Sequence, residues 1–160
     1  MLRGSISAKI DAKGRLKVPT TFRSAIAEKY GELLYVTSIT GQSVLIFPMS
    51  VWVEREEKLK DLPSTLPAIR RYVDHVNYYG QQADFDKQGR VSIHGRVRVS
   101  AEMTGNVDVF GKYDHLEVWN HGRFLTQLKK EPFTDDDANA LRKVTDVTRK
   151  EIRNTIICLK

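Results

Sequence analysis

Two five-residue elements of this 160-residue chain could do chemistry: Asp11-Ala12-Lys13-Gly14-Arg15 and Asp86-Lys87-Gln88-Gly89-Arg90. In each, an aspartate stands four residues before an arginine, with a glycine just ahead of the arginine. The carboxylate can accept backbone N–H groups in front of it, and glycine takes the positive φ that a tight turn needs. Asp11, Gly14, Asp86 and Gly89 are therefore the turn-organising residues. An arginine held in this way presents a planar fork suited to phosphate, or to guanine O6 and N7 in a major groove. Arg15 and Arg90 are the expected positioning and base-reading groups. Lys9, Lys13, Lys17 and Lys87, with Arg3, are expected to supply phosphate contacts. A plainer reading, in which Asp11–Arg15 and Asp86–Arg90 are ion pairs that pin two turns, is compatible with the same spacing, and both roles can hold together.

The charge map favours a ligand. The formal net charge is +6 at a sequence pI of about 9.5. Residues 1–23 carry +5 and residues 84–98 carry +2, so the remaining 122 residues carry −1. Positive charge gathered into two short segments suggests a polyanionic partner, most often nucleic acid.

The same two segments are copies of each other. At a constant offset of 75, Asp, Gly, Arg and the closing Arg (Arg23 and Arg98) are identical, while Leu16/Val91, Val18/Ile93 and Phe22/Val97 are conservative exchanges. Looser similarity continues through Gly31-Glu32-Leu33 against Gly105-Asn106-Val107, and Leu45-Ile46-Phe47 against Leu116-Glu117-Val118. Two similar units, each too small to bury its apolar face alone, are expected to pack on one another.

The elements that must position the turns follow from periodicity. Ile6, Ala8 and Ile10 alternate with Ser5, Ser7 and Lys9, as in a strand. Arg15 and Lys17 alternate with Leu16 and Val18 in a second strand closed by Pro19. Thr20 or Thr21 is expected to cap a short helix with Phe22, Ala25 and Ile26 inward and Gly31 as its stop. A hairpin over residues 33–37 and 44–47 and a polar helix over residues 51–60 complete the first copy. The breaker-rich residues 62–67 lead into a helix with Leu66, Ile69, Val73 and Val76 on one face, ended by Gly80. The second copy repeats the pattern through Ala83, Phe85, Val91, Ile93 and a hairpin over residues 107–110 and 116–119. A helix over residues 122–130 follows. After Pro132, Thr134 or Asp135 is expected to cap a last helix with apolar positions at Ala138, Leu141, Val144, Val147, Ile152 and Ile156.

The doubled Asp-x-x-Gly-Arg-[Leu/Val]-x-[Val/Ile] element, followed in the first copy by Pro19 and a short helix bearing an arginine, resembles the MraZ family over roughly residues 1–130. The resemblance implies two SpoVT/AbrB-type domains that bind DNA through the two turns as ring-shaped oligomers, upstream of the division and cell-wall gene cluster. This chain departs from the family pattern at His94, where proline is usual, with Gly95 after it; the start of the second short helix is expected to be less rigid.

The composition closes off other classes. It is 41% hydrophobic and 29% charged, enough to build a core. No apolar run reaches the roughly 20 residues of a membrane span, and Met1-Leu2-Arg3-Gly4-Ser5 lacks the long apolar stretch of a secretory signal, so a soluble cytosolic protein is expected. The single cysteine excludes an internal disulfide and a thiolate zinc finger; Cys158 reads as a small apolar packing residue. His75, His94, His115 and His121 lack metal-ligand spacing, and Asp74-His75 and Asp114-His115 read as surface pairs pointing to different sides. Asp135-Asp136-Asp137 complements a helix N-terminus. Trp52 and Trp119 read as core or interface anchors. No catalytic constellation is present, and neither an enzyme, a cofactor nor a metal is expected.

The expected architecture is α+β: two tandem AbrB-like β-α-β-β units related by pseudo-twofold symmetry. The first repeat covers residues 1–60, a connecting helix 61–80, the second repeat 81–130 and a C-terminal helix 131–160. The expected function is sequence-specific binding of double-stranded DNA at promoter-proximal repeated boxes, as a cytoplasmic, nucleoid-associated homo-oligomeric regulator that represses the cluster including its own gene. A ring-forming scaffold whose basic turns bind RNA or a protein partner is the alternative.

Overall fold

Alternating apolar and polar residues on both sides of each Asp–Gly turn produce strands that bury one face, and these strands join a single eight-stranded sheet. A computed structural model describes residues 1–158, with side-chain burial defined for residues 1–146 and 149–151. The elements run β1 (Ser5–Ile10), β2 (Arg15–Lys17), α1 (Thr20–Tyr30), β3 (Leu33–Thr37), β4 (Val44–Pro48), α2 (Met49–Leu59) and α3 (Pro67–Tyr78). They continue β5 (Gln81–Asp84), β6 (Arg90–Ser92), α4 (Gly95–Ser100), β7 (Gly105–Gly111), β8 (Leu116–Asn120), α5 (His121–Lys130) and α6 (Asp135–Cys158). The fold is mixed α+β, as expected. The chain divides into two units, Met1–Phe124 and Leu125–Lys160.

The sheet order is β5-β3-β4-β8-β7-β1-β2-β6, antiparallel throughout. Its two edge strands, β5 and β6, are consecutive in the chain and share the Asp86 N–H bond to the Arg90 carbonyl, so the sheet curls until its edges meet. The repeats do more than pack face to face: they exchange strands. β1 of the first copy lies against β7 of the second, and β5 of the second lies against β3 of the first.

Inside the curl sit Ile10, Leu16, Val36, Val44, Ile46, Val91, Val107, Val109, Leu116 and Val118, all buried. Phe22 and Ile26 of α1 and Val97 of α4 join this core. A second cluster, Leu45, Phe47, Val51, Trp52 and Val76, seats α2 and α3 on the other face of β4, with Trp52 stacked on Tyr35 at 4.5 Å. Trp119 is half-buried against Phe124.

Several local expectations need correction. Neither Thr20 nor Thr21 caps α1; Pro19 precedes it with φ −52°, and no side chain bonds the first turn. A proline already fixed near the helical φ starts the helix, which places Thr20 inside it. Ala25 is exposed, because the face that meets the sheet is set by Phe22 and Ile26 four residues apart. α2 likewise starts directly after Pro48, and its polar run buries Val51 and Trp52. On α3 only Val76 is fully buried, and Leu66 and Val73 are exposed.

In the second unit, Thr134 caps α6 reciprocally. Its backbone and hydroxyl donate to Asp137 Oδ2 at 2.9 Å, and the Asp137 N–H bonds back to Thr134 Oγ1 at 3.3 Å. Leu141 is exposed on that helix. The side chains of Val147, Ile152, Ile156 and Cys158 lie outside the described residues. Among the described residues, no helix is long and apolar enough to cross a membrane.

Candidate nucleic-acid interface

Each aspartate performs three bonds at once. Asp11 Oδ1 accepts the N–H groups of Lys13 and Arg15, both at 2.9 Å, and Oδ2 accepts Arg15 Nε at 2.7 Å. Asp86 repeats this with the N–H groups of Gln88 and Arg90 at 2.9 Å and with Arg90 Nε at 2.7 Å. The Gly14 and Gly89 N–H groups close each turn onto the aspartate carbonyl at 3.0 Å. Both glycines take positive φ, 78° and 76°. The backbone bond from Arg15 is the main cause that holds the Asp11 carboxyl below its ordinary range. The equivalent bond from Arg90 leads the causes that lower Asp86 to about 2. Both aspartates are therefore anions at neutral pH, and each fixes its guanidinium through Nε.

The β2–β6 pair brings the two turns onto one ribbon. Leu16 faces Val91, while Arg15 faces Ser92 and Lys17 faces Arg90. Leu16 and Val91 are fully buried, so the alternate residues Arg15, Lys17, Arg90 and Ser92 share the outer face. The ladder extends through the Val18 N–H to the Gly89 carbonyl and the Ile93 N–H to the Gly14 carbonyl. Gly14 and Gly89 thus lie four strand steps apart, about 13 Å along the ribbon at 3.3 Å per residue. A major groove is about 12 Å wide and admits a two-stranded ribbon.

Sequence reading missed two contributors. Arg98 of α4 lies against Gly14, where an added Cβ would come within 2.7 Å of its Cδ. Arg23 of α1 lies against Gly89 in the same way, at 2.9 Å, with its guanidinium 5.9 Å from the Phe85 ring centre. Each turn therefore carries an arginine from the opposite repeat. The signal was present as the identical closing arginine of the duplicated motif; only the strand exchange reveals which turn it serves.

Of the other candidates, Lys13 and Lys87 are exposed in the turns, and Lys17 is exposed on the ribbon. Lys9 is exposed on β1 opposite Asn106, beside a shallow recess where Asp108 accepts Ser7 Oγ at 3.4 Å and meets His121 Nδ1 at 2.7 Å. Arg3 lies next to the Leu2–Tyr113 bridge, at the end of β1 away from the turn, and does not join the cluster. His94 bonds through Nε2 to the Tyr79 carbonyl at 2.6 Å, and Arg96 Nη1 reaches the Tyr78 carbonyl at 3.4 Å; together they finish the end of α3.

The expectation that Asp114 and His115 point apart is wrong: their side chains bond at 2.7 Å, because Phe47 stacks on the imidazole at 4.4 Å and holds it beside the carboxylate. Arg55 Nη2 approaches Asp114 from α2 at 3.3 Å. Among the described residues, no three His, Cys, Asp or Glu side chains converge on a point.

Residues 1–74 and 80–144 match the family model described as "MraZ protein, putative antitoxin-like". A relative from Acidobacterium capsulatum, named Transcriptional regulator MraZ, is 42% identical over 141 residues, covering 88% of this chain and 97% of its own. Relatives of the same name from Koribacter versatilis and Tolumonas auensis are 40% and 32% identical over 142 residues, with 88% of this chain covered in each case and 97% and 90% of theirs.

Proposed function

The chain belongs to the MraZ family, and on that premise we propose that it regulates transcription by binding double-stranded DNA in a sequence-specific manner through the β2–β6 ribbon. One observation carries the reading: two Asp–Arg turns of identical geometry lie about four strand steps apart on one exposed basic face. Asp86 balances the charge of Arg90, and the exposed Lys17 ammonium directly across from it adds a cation to the same face. A polyanion is the ligand that such a face suits. The ribbon fits a major groove; Arg15 and Arg90 read guanine edges, and Lys13, Lys17, Lys87 and Lys9 neutralise phosphates.

The regulator is a nucleoid-associated repressor of the division and cell-wall gene cluster, its own gene included. A single chain offers two reading turns, so a closed homo-oligomer, a ring, gains avidity on repeated boxes. A gel shift with footprinting on the duplex upstream of its own gene, against a shuffled competitor, tests this. The proposal expects protection of repeated boxes and a binding constant that falls steeply with salt. Equal affinity for both duplexes, or preferred binding to RNA, would overturn it.

A further inference from the structure

The two turns share one geometry but not one neighbourhood. The twofold-like register pairs each reading arginine with a residue of the other repeat: Arg15 with Ser92, Arg90 with Lys17. Ser92 and Lys17 are equivalent positions of the duplicated motif, so the repeat places a hydroxyl in one and an ammonium in the other. Residues directly opposite in an antiparallel pair project to the same face about 5 Å apart, within reach of one ligand group. Both Ser92 and Lys17 are exposed, and both arginines bond their aspartate through Nε. The crossing arginines, Arg98 and Arg23, are the same at both turns and cannot tell them apart.

We propose that the two turns are unlike reading heads and that Ser92 and Lys17 set the difference. This rests on the DNA reading above. At the Arg15 head, the Ser92 hydroxyl donates to or accepts from a base edge beside the guanine that Arg15 takes. At the Arg90 head, Lys17 adds a phosphate contact that holds the duplex without reading it. A site bound by one chain therefore has two unequal halves, with more sequence information on the Arg15 side.

Selection from a duplex library with a randomised central region tests this on the full chain. Wild type is expected to select sites with one strongly and one weakly specified half. Lys17→Ser gives both arginines a hydroxyl neighbour; its selected site should gain a specified position beside the Arg90 guanine, and its salt slope should fall by about one unit for the lost phosphate contact. Ser92→Lys should raise affinity for random duplex, steepen the slope by a similar amount and erase the better-specified position beside the guanine. Ser92→Ala should lose that position without changing the slope. Each variant changes an exposed side chain, and circular dichroism confirms the fold of each. Equal halves selected by wild type, or a Lys17→Ser site that gains no specified position beside the Arg90 guanine, would overturn the inference while leaving DNA binding intact. Failure of wild type to enrich any duplex would instead overturn the DNA reading itself.

Discussion

Leu16 lies directly opposite Val91, its own equivalent in the other repeat, so the internal twofold axis passes between these two buried side chains. The flanking pairs obey the same symmetry, since Arg15–Ser92 and Lys17–Arg90 are exchanged by it. The axis emerges again at β4–β8, where Leu45 faces Glu117 and Ile46 faces Leu116. One chain therefore builds what two copies of a single repeat would otherwise have to build by association. The strand exchange also makes each half dependent on the other: the first repeat's turn lies under Arg98 of the second, and the second's turn under Arg23 of the first.

The turn glycines should be intolerant of side chains for two separable reasons. Gly14→Ala meets a left-handed φ, unfavourable by about 1–2 kcal/mol for an L-residue, and also crowds Arg98. Chemical denaturation should show a loss of at least that size. Adding Arg98→Ala should return the steric part alone, leaving a residual deficit set by the backbone. If Gly14→Ala alone is neutral, the crossing contact is not packed.

Acid should weaken the turns over a defined window. Asp86 is lowered to about 2 and Asp11 is lowered in the same direction from the ordinary 3.8, with the arginine backbone bond as the first cause in each. A carboxyl depressed in the folded state contributes stability that is full above the unfolded value and disappears as pH falls through the folded one. Urea midpoints should therefore drop between about pH 4 and pH 2. Asp86→Asn should flatten that drop, and an unchanged acid profile in Asp86→Asn would show that the bonds seen in the turn do not couple to stability.

His94 is held where proline would fit. Its φ of −76° is within the proline range, so His94→Pro gains about 0.4–1 kcal/mol from reduced unfolded-state freedom. It also loses the bond to the Tyr79 carbonyl, about 0.5–1.5 kcal/mol. These offset, and the thermal midpoint should move little. His94→Ala loses the bond with no gain in rigidity and should destabilise by about 1 kcal/mol. DNA affinity should be unchanged in both, because the imidazole is spent on α3 and not on the ribbon.

The parts of this fold that were legible in the sequence are those whose cause is local. Asp11 and Asp86 announce their turns because Asx chemistry acts within four residues, and Leu16 and Val91 announce their inward face by alternation alone. Partner strands were not legible: nothing in Ser5–Ile10 names Gly105–Gly111 across about a hundred residues, since period-two patterns specify a face and not a neighbour. For the same reason the closing arginines were visible as a repeat but not as crossing contacts, and Ser92 was not visible as a neighbour of Arg15. The Thr20 and Thr21 caps failed because proline outranked them as a helix start.

A closed oligomer should depend on apolar side chains that the chain leaves in water. Leu128 on α5 and Leu141 on α6 are exposed by 55% and 58%, which leaves both side chains open to a neighbouring copy. Light scattering of the wild type should give a mass well above the 18.3 kDa chain at micromolar concentration. Leu141→Asp should lower that mass and weaken binding to multi-box DNA more than to a single box. An 18.3 kDa wild-type particle at that concentration would remove the oligomer from the proposal.

Arg15→Ala and Arg90→Ala should each weaken the preference for operator, Arg15→Ala the more strongly, while the fold persists. The turns are closed by main-chain bonds to the aspartates that survive loss of either guanidinium, and neither arginine packs in the core. Losing one bidentate base contact weakens specific binding by about 1–3 kcal/mol, and an oligomer multiplies this over its subunits. Arg15→Lys restores charge but not the fork, so it should recover affinity for random duplex more than for operator. Lys13→Ala should weaken both duplexes alike and lower the salt slope by about one unit. Asp11→Ala should resemble Arg15→Ala in binding, because the Nε bond that aims the guanidinium is gone, and it should also lose modest stability through the missing turn cap on the Lys13 and Arg15 N–H groups. The measurement is a salt-titrated binding series on operator and random duplex, with circular dichroism on every variant. A double variant, Arg15→Ala with Arg90→Ala, that unfolds would make these ion pairs structural. One that stays folded and still prefers operator would place the reading surface away from the ribbon.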